Sequence, residues 1–88
     1  AMDLAYPKAN AKVFIPRMLN GQPGQIVLEI AHNQYNMTVY WHLDGQFLGS
    51  TRGTHQMAIR PEKGKHVLTL VDGDGYSIAR SFEVLSKM

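Results

Sequence analysis

Apolar residues in this chain recur at every second position, in runs of five to nine residues that turn-forming residues interrupt. A period of two puts alternate side chains on opposite faces of an extended strand, whereas a helix needs apolar residues three and four apart. No stretch keeps the helical spacing. The alternation is plainest in QIVLEIA, residues 25–31, where Ile26, Leu28 and Ile30 share one face. In MTVYWHL, residues 37–43, Val39, Trp41 and Leu43 share one phase, and Thr38, Tyr40 and His42 the other. KVFIP (12–16), QFLGS (46–50), HQMAI (55–59), KHVLTLVD (65–72) and YSIARSFEV (76–84) complete the set. About seven short strands with turn signals every ~8–12 residues predict an all-β, immunoglobulin-like β-sandwich of antiparallel strands. Trp41 on the third strand suits that fold, in which an indole fills the space between the sheets.

The punctuation has its own chemistry. Asp44-Gly45 between two β-rich runs predicts a type I′ hairpin turn, because both central residues there take positive φ. VDGDGY predicts a second hairpin, Pro61 and the Glu62–Gly64 stretch a turn, and NGQPG at 20–24 another. Residues 1–11 contain Pro7 and sustain no period, so they are expected to be a lead-in linker that becomes ordered near Tyr6, with the domain at 12–88. Arg80 shares its phase with Ile78 and Phe82. That predicts either a bulge or an arginine at the sheet margin whose stem packs while its head reaches water.

A chain of 88 residues has room for one core and none for a cleft between domains. A domain of this size removes about 60–65% of its unfolded surface from water, which keeps its stability modest. The nine Lys and Arg residues form no run and the net charge is only +2, so the electrostatic footprint of a phosphate binder is absent. Without cysteine, a disulfide framework and a thiolate metal site are both excluded. No apolar run approaches the ~20 residues of a membrane-spanning helix, and no signal segment opens the chain. It reads as a domain excised from a longer protein, so that a targeting segment would lie outside it.

Each chemical candidate has a plainer structural reading. His42 and Asp44 could form a dyad only if their side chains converged, but a turn aspartate more often bonds local backbone amides. Ser50, Ser77, Ser81 and Ser86 lie in no strand–glycine–serine–helix elbow. His32, His42, His55 and His66 match no zinc spacing, so scattered structural histidines are expected and no metal. His66 alternates with Leu68 and Leu70, which places it at the mouth of the core with one ring nitrogen on a backbone group. DGDG at 72–75 resembles the start of a calcium loop, but Tyr76 replaces an oxygen ligand and Ser77 stands where the sharp-turn glycine is needed. Tyr35, Tyr40 and His42 could form an outward aromatic strip for stacking on sugar rings.

The series YWHLDGQFLGSTRGTHQMAIRPEKGKHVLTLVDGDG, residues 40–75, followed by a Phe-Glu-Val strand, closely resembles the C-terminal domain of penicillin-binding protein 1C. The elements that carry the resemblance are Trp41, Leu43, Asp44 with Gly45, Leu48, Gly49, Thr51, His55, Pro61, Gly64, His66, Leu68, Leu70, Asp72, Gly75 and Phe82. The Tyr6-Pro7 and Ile15-Pro16 lead-in fits as well. Such parents are bifunctional peptidoglycan synthases whose glycosyltransferase and transpeptidase motifs do not occur here. The resemblance therefore implies a non-catalytic accessory domain in the periplasm, on a parent anchored to the inner membrane. It implies no cofactor, no nucleic acid and no membrane contact by the domain itself. Its expected partners are the parent transpeptidase domain and periplasmic cell-wall proteins. The alternative is direct recognition of glycan strands or stem peptides by Tyr40 and His42, with Arg52 for a carboxylate. A free-standing hydrolase has no nucleophile or carboxylate-pair motif behind it.

Overall fold

The computed structural model describes residues 2–16, 19 and 24–87. Among these the chain is all-β, with eight strands: β1 (Met2–Tyr6), β2 (Ala11–Pro16), β3 (Ile26–His32), β4 (Thr38–Leu43), β5 (Gln46–Arg52), β6 (Gln56–Ile59), β7 (Gly64–Asp72) and β8 (Ser77–Lys87). They form an immunoglobulin-like sandwich of two sheets, in the orders β1-β3-β6 and β2-β8-β7-β4-β5. Each sheet turns its apolar phase inward. Leu28 and Ile30 of the smaller sheet and Val39, Trp41, Leu68, Leu70, Phe82 and Val84 of the larger share one core. Leu28, Val39, Trp41, Leu68 and Leu70 have no exposed surface, and burial of each such side chain contributes about 1.5–3 kcal/mol.

Two expectations are corrected. The first residues are not a linker, because Met2–Tyr6 pairs antiparallel with β3 and buries Met2 and Leu4 in the core. The alternation Met2, Asp3, Leu4 was present but too short to stand out before Pro7. With β1 added there are eight strands. Nor are all neighbours antiparallel, since β2 runs parallel to β8 from Ala11↔Phe82 to Pro16↔Lys87. The chain leaves the smaller sheet after β1 and enters the larger one as β2, and no local pattern encodes that crossing. The predicted turn at 20–24 lies outside the described residues except for Gly24.

The Asp44-Gly45 turn is as read, with φ of 51° and 86°. Beyond it β5 carries a bulge, because Trp41 faces Gly49 while His42 faces Phe47, leaving Leu48 over. Gly49 lies under Met57 of β6, whose methyl would stand 3.4 Å from a Cβ placed there. Arg80 is not at a bulge. The β7–β8 register is unbroken past it, and its guanidinium reaches Asp3 of β1 at 3.1 Å across the sheet margin.

Candidate functional site

Two kinds of feature stand out against this frame: polar clusters that tie strands together, and an outer face rich in exposed apolar side chains.

The first cluster closes one end of the sandwich. His66 lies inward on β7 with Phe82 stacked on it, ring centroids 5.5 Å apart. Its Nδ1 is 2.6 Å from the Asp44 carboxylate and its Nε2 is 2.6 Å from the Glu62 carbonyl. A carbonyl only accepts, so Nε2 carries a proton, and the carboxylate favours a second proton on Nδ1. Burial opposes the charge on His66, but the Glu62 carbonyl and the Asp44 carboxylate together outweigh it and raise the pKa. Asp44 is held low, first by the Val67 N–H bond at 2.8 Å and then by His66. The partner of Asp44 is therefore His66 and the amide of Val67, not His42 and not the amides of its own turn. The Asp44 N–H also donates to the Val67 carbonyl at 2.9 Å, so contact of the turn with β7, not the local chain sequence, sets this pairing.

The second cluster lies where β7 turns into β8. Asp72 is buried and accepts from the N–H groups of Asp74 and Tyr76, both at 3.0 Å, which closes the VDGDGY hairpin. Its other oxygen meets His32 Nε2 at 3.1 Å. Because His32 Nδ1 accepts from the Gln34 N–H, its proton sits on Nε2 and is donated to Asp72, tying β3 to β7. That bond, followed by the two amides, keeps the Asp72 carboxyl below its ordinary range.

The third is a chain through the core. Trp41 Nε1–H donates to Thr51 Oγ1 at 2.8 Å, and the same hydroxyl meets His55 Nδ1 at 2.8 Å. Directing the hydroxyl proton at Nδ1 satisfies indole, hydroxyl and ring nitrogen together, and leaves the ring proton of His55 on a buried Nε2 with no partner among the described residues. Burial, and then the nearby His32, lowers the pKa of His55. The residues singled out by resemblance thus have structural places: Thr51 and His55 in this chain, Asp44 and His66 at one end, Asp72 at the other. Pro61 is buried before β7, and Gly64 and Gly75 take φ of 126° and 86°.

The outer face of the larger sheet is different in kind. Tyr40, His42 and Arg52 are brought together on it: Thr38 faces Arg52, Tyr40 faces Ser50, and His42 faces Phe47. His42 is half-buried, its ring 5.4 Å from that of Phe47 and its Nδ1 without a partner among the described residues. Tyr35 is not on the strand, since it lies over Gly53 in the loop after β5. Sequence reasoning missed Phe14, Phe47 and Val67, which stand 63%, 61% and 44% exposed on this face beside Tyr40 at 41%. For Phe14 and Val67 the outward phase was the available signal, because Phe14 stands between buried Val13 and Ile15 and Val67 precedes buried Leu68; β5 buries no residue, so Phe47 gave no such signal.

A family model described as Penicillin-Binding Protein C-terminus Family matches residues 1–82. No curated protein matches the chain. Among solved structures, the fibronectin(III)-like modules of Clostridium thermocellum CbhA align with a TM-score of 0.68 at 15% identity, over 99% of this chain and 96% of that one. At that identity the likeness is one of fold: a sandwich of two sheets followed nearly end to end.

Proposed function

The chain belongs to the penicillin-binding protein C-terminus family, and from that premise we propose a non-catalytic accessory domain of a bifunctional peptidoglycan synthase of the 1C type. It acts in the periplasm and docks on the parent transpeptidase domain through the outer face of its larger sheet. The observation that carries this reading is the exposure of Phe14, Tyr40, Phe47 and Val67 on that one face. Exposed aromatic side chains, with an arginine at the rim, are enriched in protein interfaces, and exposed apolar surface on one face marks a candidate contact. The titratable pairs of the domain support a non-catalytic role. Asp44, His66 and Asp72 are each engaged in holding strands together.

A second reading rests on the grouping of Tyr40, His42 and Arg52, which could stack on a sugar ring and hold a carboxylate of peptidoglycan. One experiment separates the two. The 88-residue chain is incubated with insoluble sacculi and, separately, with the purified transpeptidase domain, each with and without Tyr40→Ala and Phe47→Ser. Binding to the transpeptidase domain that both substitutions weaken supports docking. Salt-resistant pelleting with sacculi that depends on Tyr40, with no binding to the transpeptidase domain, overturns it in favour of wall recognition.

A further inference from the structure

The other half of the same face holds a recess of about 380 Å³, formed where β7, β8 and the start of β2 lie side by side. Asn10, Lys65, Val67, Ser81 and Glu83 are among the residues that line it, with His66 and Phe82 beside them. Lys65 and Glu83 are direct register partners across β7 and β8, and Lys12 is the partner of Glu83 across β2. The row therefore reads cation, anion, cation. Opposite charges facing each other on a sheet attract by about 0.2–1 kcal/mol, a contribution a charged ligand can replace. Here neither Lys65 nor Glu83 forms an ion pair, and Asn10 and Ser81 make no side-chain hydrogen bond, to any described residue. The main chain meanwhile fixes the wall, because the Asn10 N–H donates to the Ser81 carbonyl at 2.7 Å with Asn10 at φ 63°.

We propose that this recess binds a small zwitterion, an amino acid or the end of a short peptide, with its carboxylate on the Lys65 ammonium and its amine on the Glu83 carboxylate. Asn10 and Ser81 supply neutral donors and acceptors for an intervening peptide group, and Val67 offers apolar contact to a short side chain. The volume is that of a small-ligand site, and the charged groups are unspent. Separate charges of both signs select against ligands carrying only one. The recess shares Val67 with the proposed docking face, but its charged residues Lys65 and Glu83 are separate from Tyr40 and Phe47, which lie on β4 and β5.

The test is a titration of the isotopically labelled 88-residue chain with alanyl-alanine, followed through its amide resonances. The expected result is saturable shifts confined to Asn10, Lys65, Val67, Ser81 and Glu83, with a dissociation constant of about 1 mM. Acetylating the amine or amidating the carboxylate should each weaken binding about tenfold, as should Lys65→Met and Glu83→Gln, since each removes one charge-assisted bond. Melting temperatures of both variants should stay within a few degrees of the parent, because the two side chains support no other group. Shifts that do not saturate overturn the proposal, and so does binding indifferent to the caps. Because the probe is a dipeptide alone, failure here leaves docking on the transpeptidase domain standing, and failure of docking leaves this site standing.

Discussion

Replacing Thr51 with valine removes one oxygen from the middle of the Trp41–Thr51–His55 chain and changes almost nothing in volume. The indole N–H of Trp41, fully buried, then has no acceptor and no route to water. An orphaned buried donor costs about 1–3 kcal/mol, and the lost bond to His55 Nδ1 adds about 0.5–1.5 kcal/mol. The extra methyl returns at most about 0.8 kcal/mol. The net expectation is a loss of about 1–3 kcal/mol, which in a domain of this size lowers the melting temperature by about 5–20 °C. Urea unfolding followed by tryptophan fluorescence and circular dichroism measures it. The decisive control is Trp41→Phe, which deletes the donor itself. In that background Thr51→Val should cost about 1–2 kcal/mol less, and the difference is the coupling energy of the pair. A Thr51→Val change within about 0.5 kcal/mol of neutral, or an equal cost in both backgrounds, would refute the hydrogen-bonded account of this core.

Further consequences follow from the same contacts. His66 has a raised pKa, so the stability it lends is complete below the ordinary value of 6.5 and is lost as pH rises through its folded value; melting curves from pH 6 to 9 should decline, and His66→Gln should remove that slope. His55 is the opposite case. Its lowered pKa gives stability that is present above 6.5 and lost as pH falls through the folded value, so His55→Gln should flatten the decline on the acid side. Leu4→Ala should cost about 2–5 kcal/mol in urea unfolding, because Leu4 packs in the core; a cost near zero would mean that the opening residues are a linker after all.

How much of this was legible in the sequence depends on the range of the interaction. The strands, the inward face of Trp41 and the Asp44-Gly45 turn follow from period two and from the sterics of positive φ, which act over a few residues. Strand β1 has three alternating residues before Pro7 and left too little pattern to read. The parallel β2–β8 pair is a matter of chain path between sheets. The polar ties are longer still in range: Asp44 and His66 are separated by 22 residues, and His32 and Asp72 by 40. Resemblance drew attention to Asp44, His55, His66 and Asp72 without giving their partners. Arg80 was readable to the extent that its phase conflicted with its charge, and Asp3 at the sheet margin resolves the conflict.

The claim that the outer face of the larger sheet is a docking surface can be tested directly because the chain has no cysteine. Single cysteines at Phe14, Tyr40 and Phe47, and a control at Thr54 on the β5–β6 loop, would be labelled with a thiol reagent in the isolated chain and in the full-length protein of the proposed parent synthase, with peptide mass spectrometry reporting each rate. Docking predicts that positions 14, 40 and 47 slow by about tenfold or more in the full-length protein, as expected when a well-formed interface excludes water, while position 54 does not change. Equal rates in the two proteins at all four positions would contradict it.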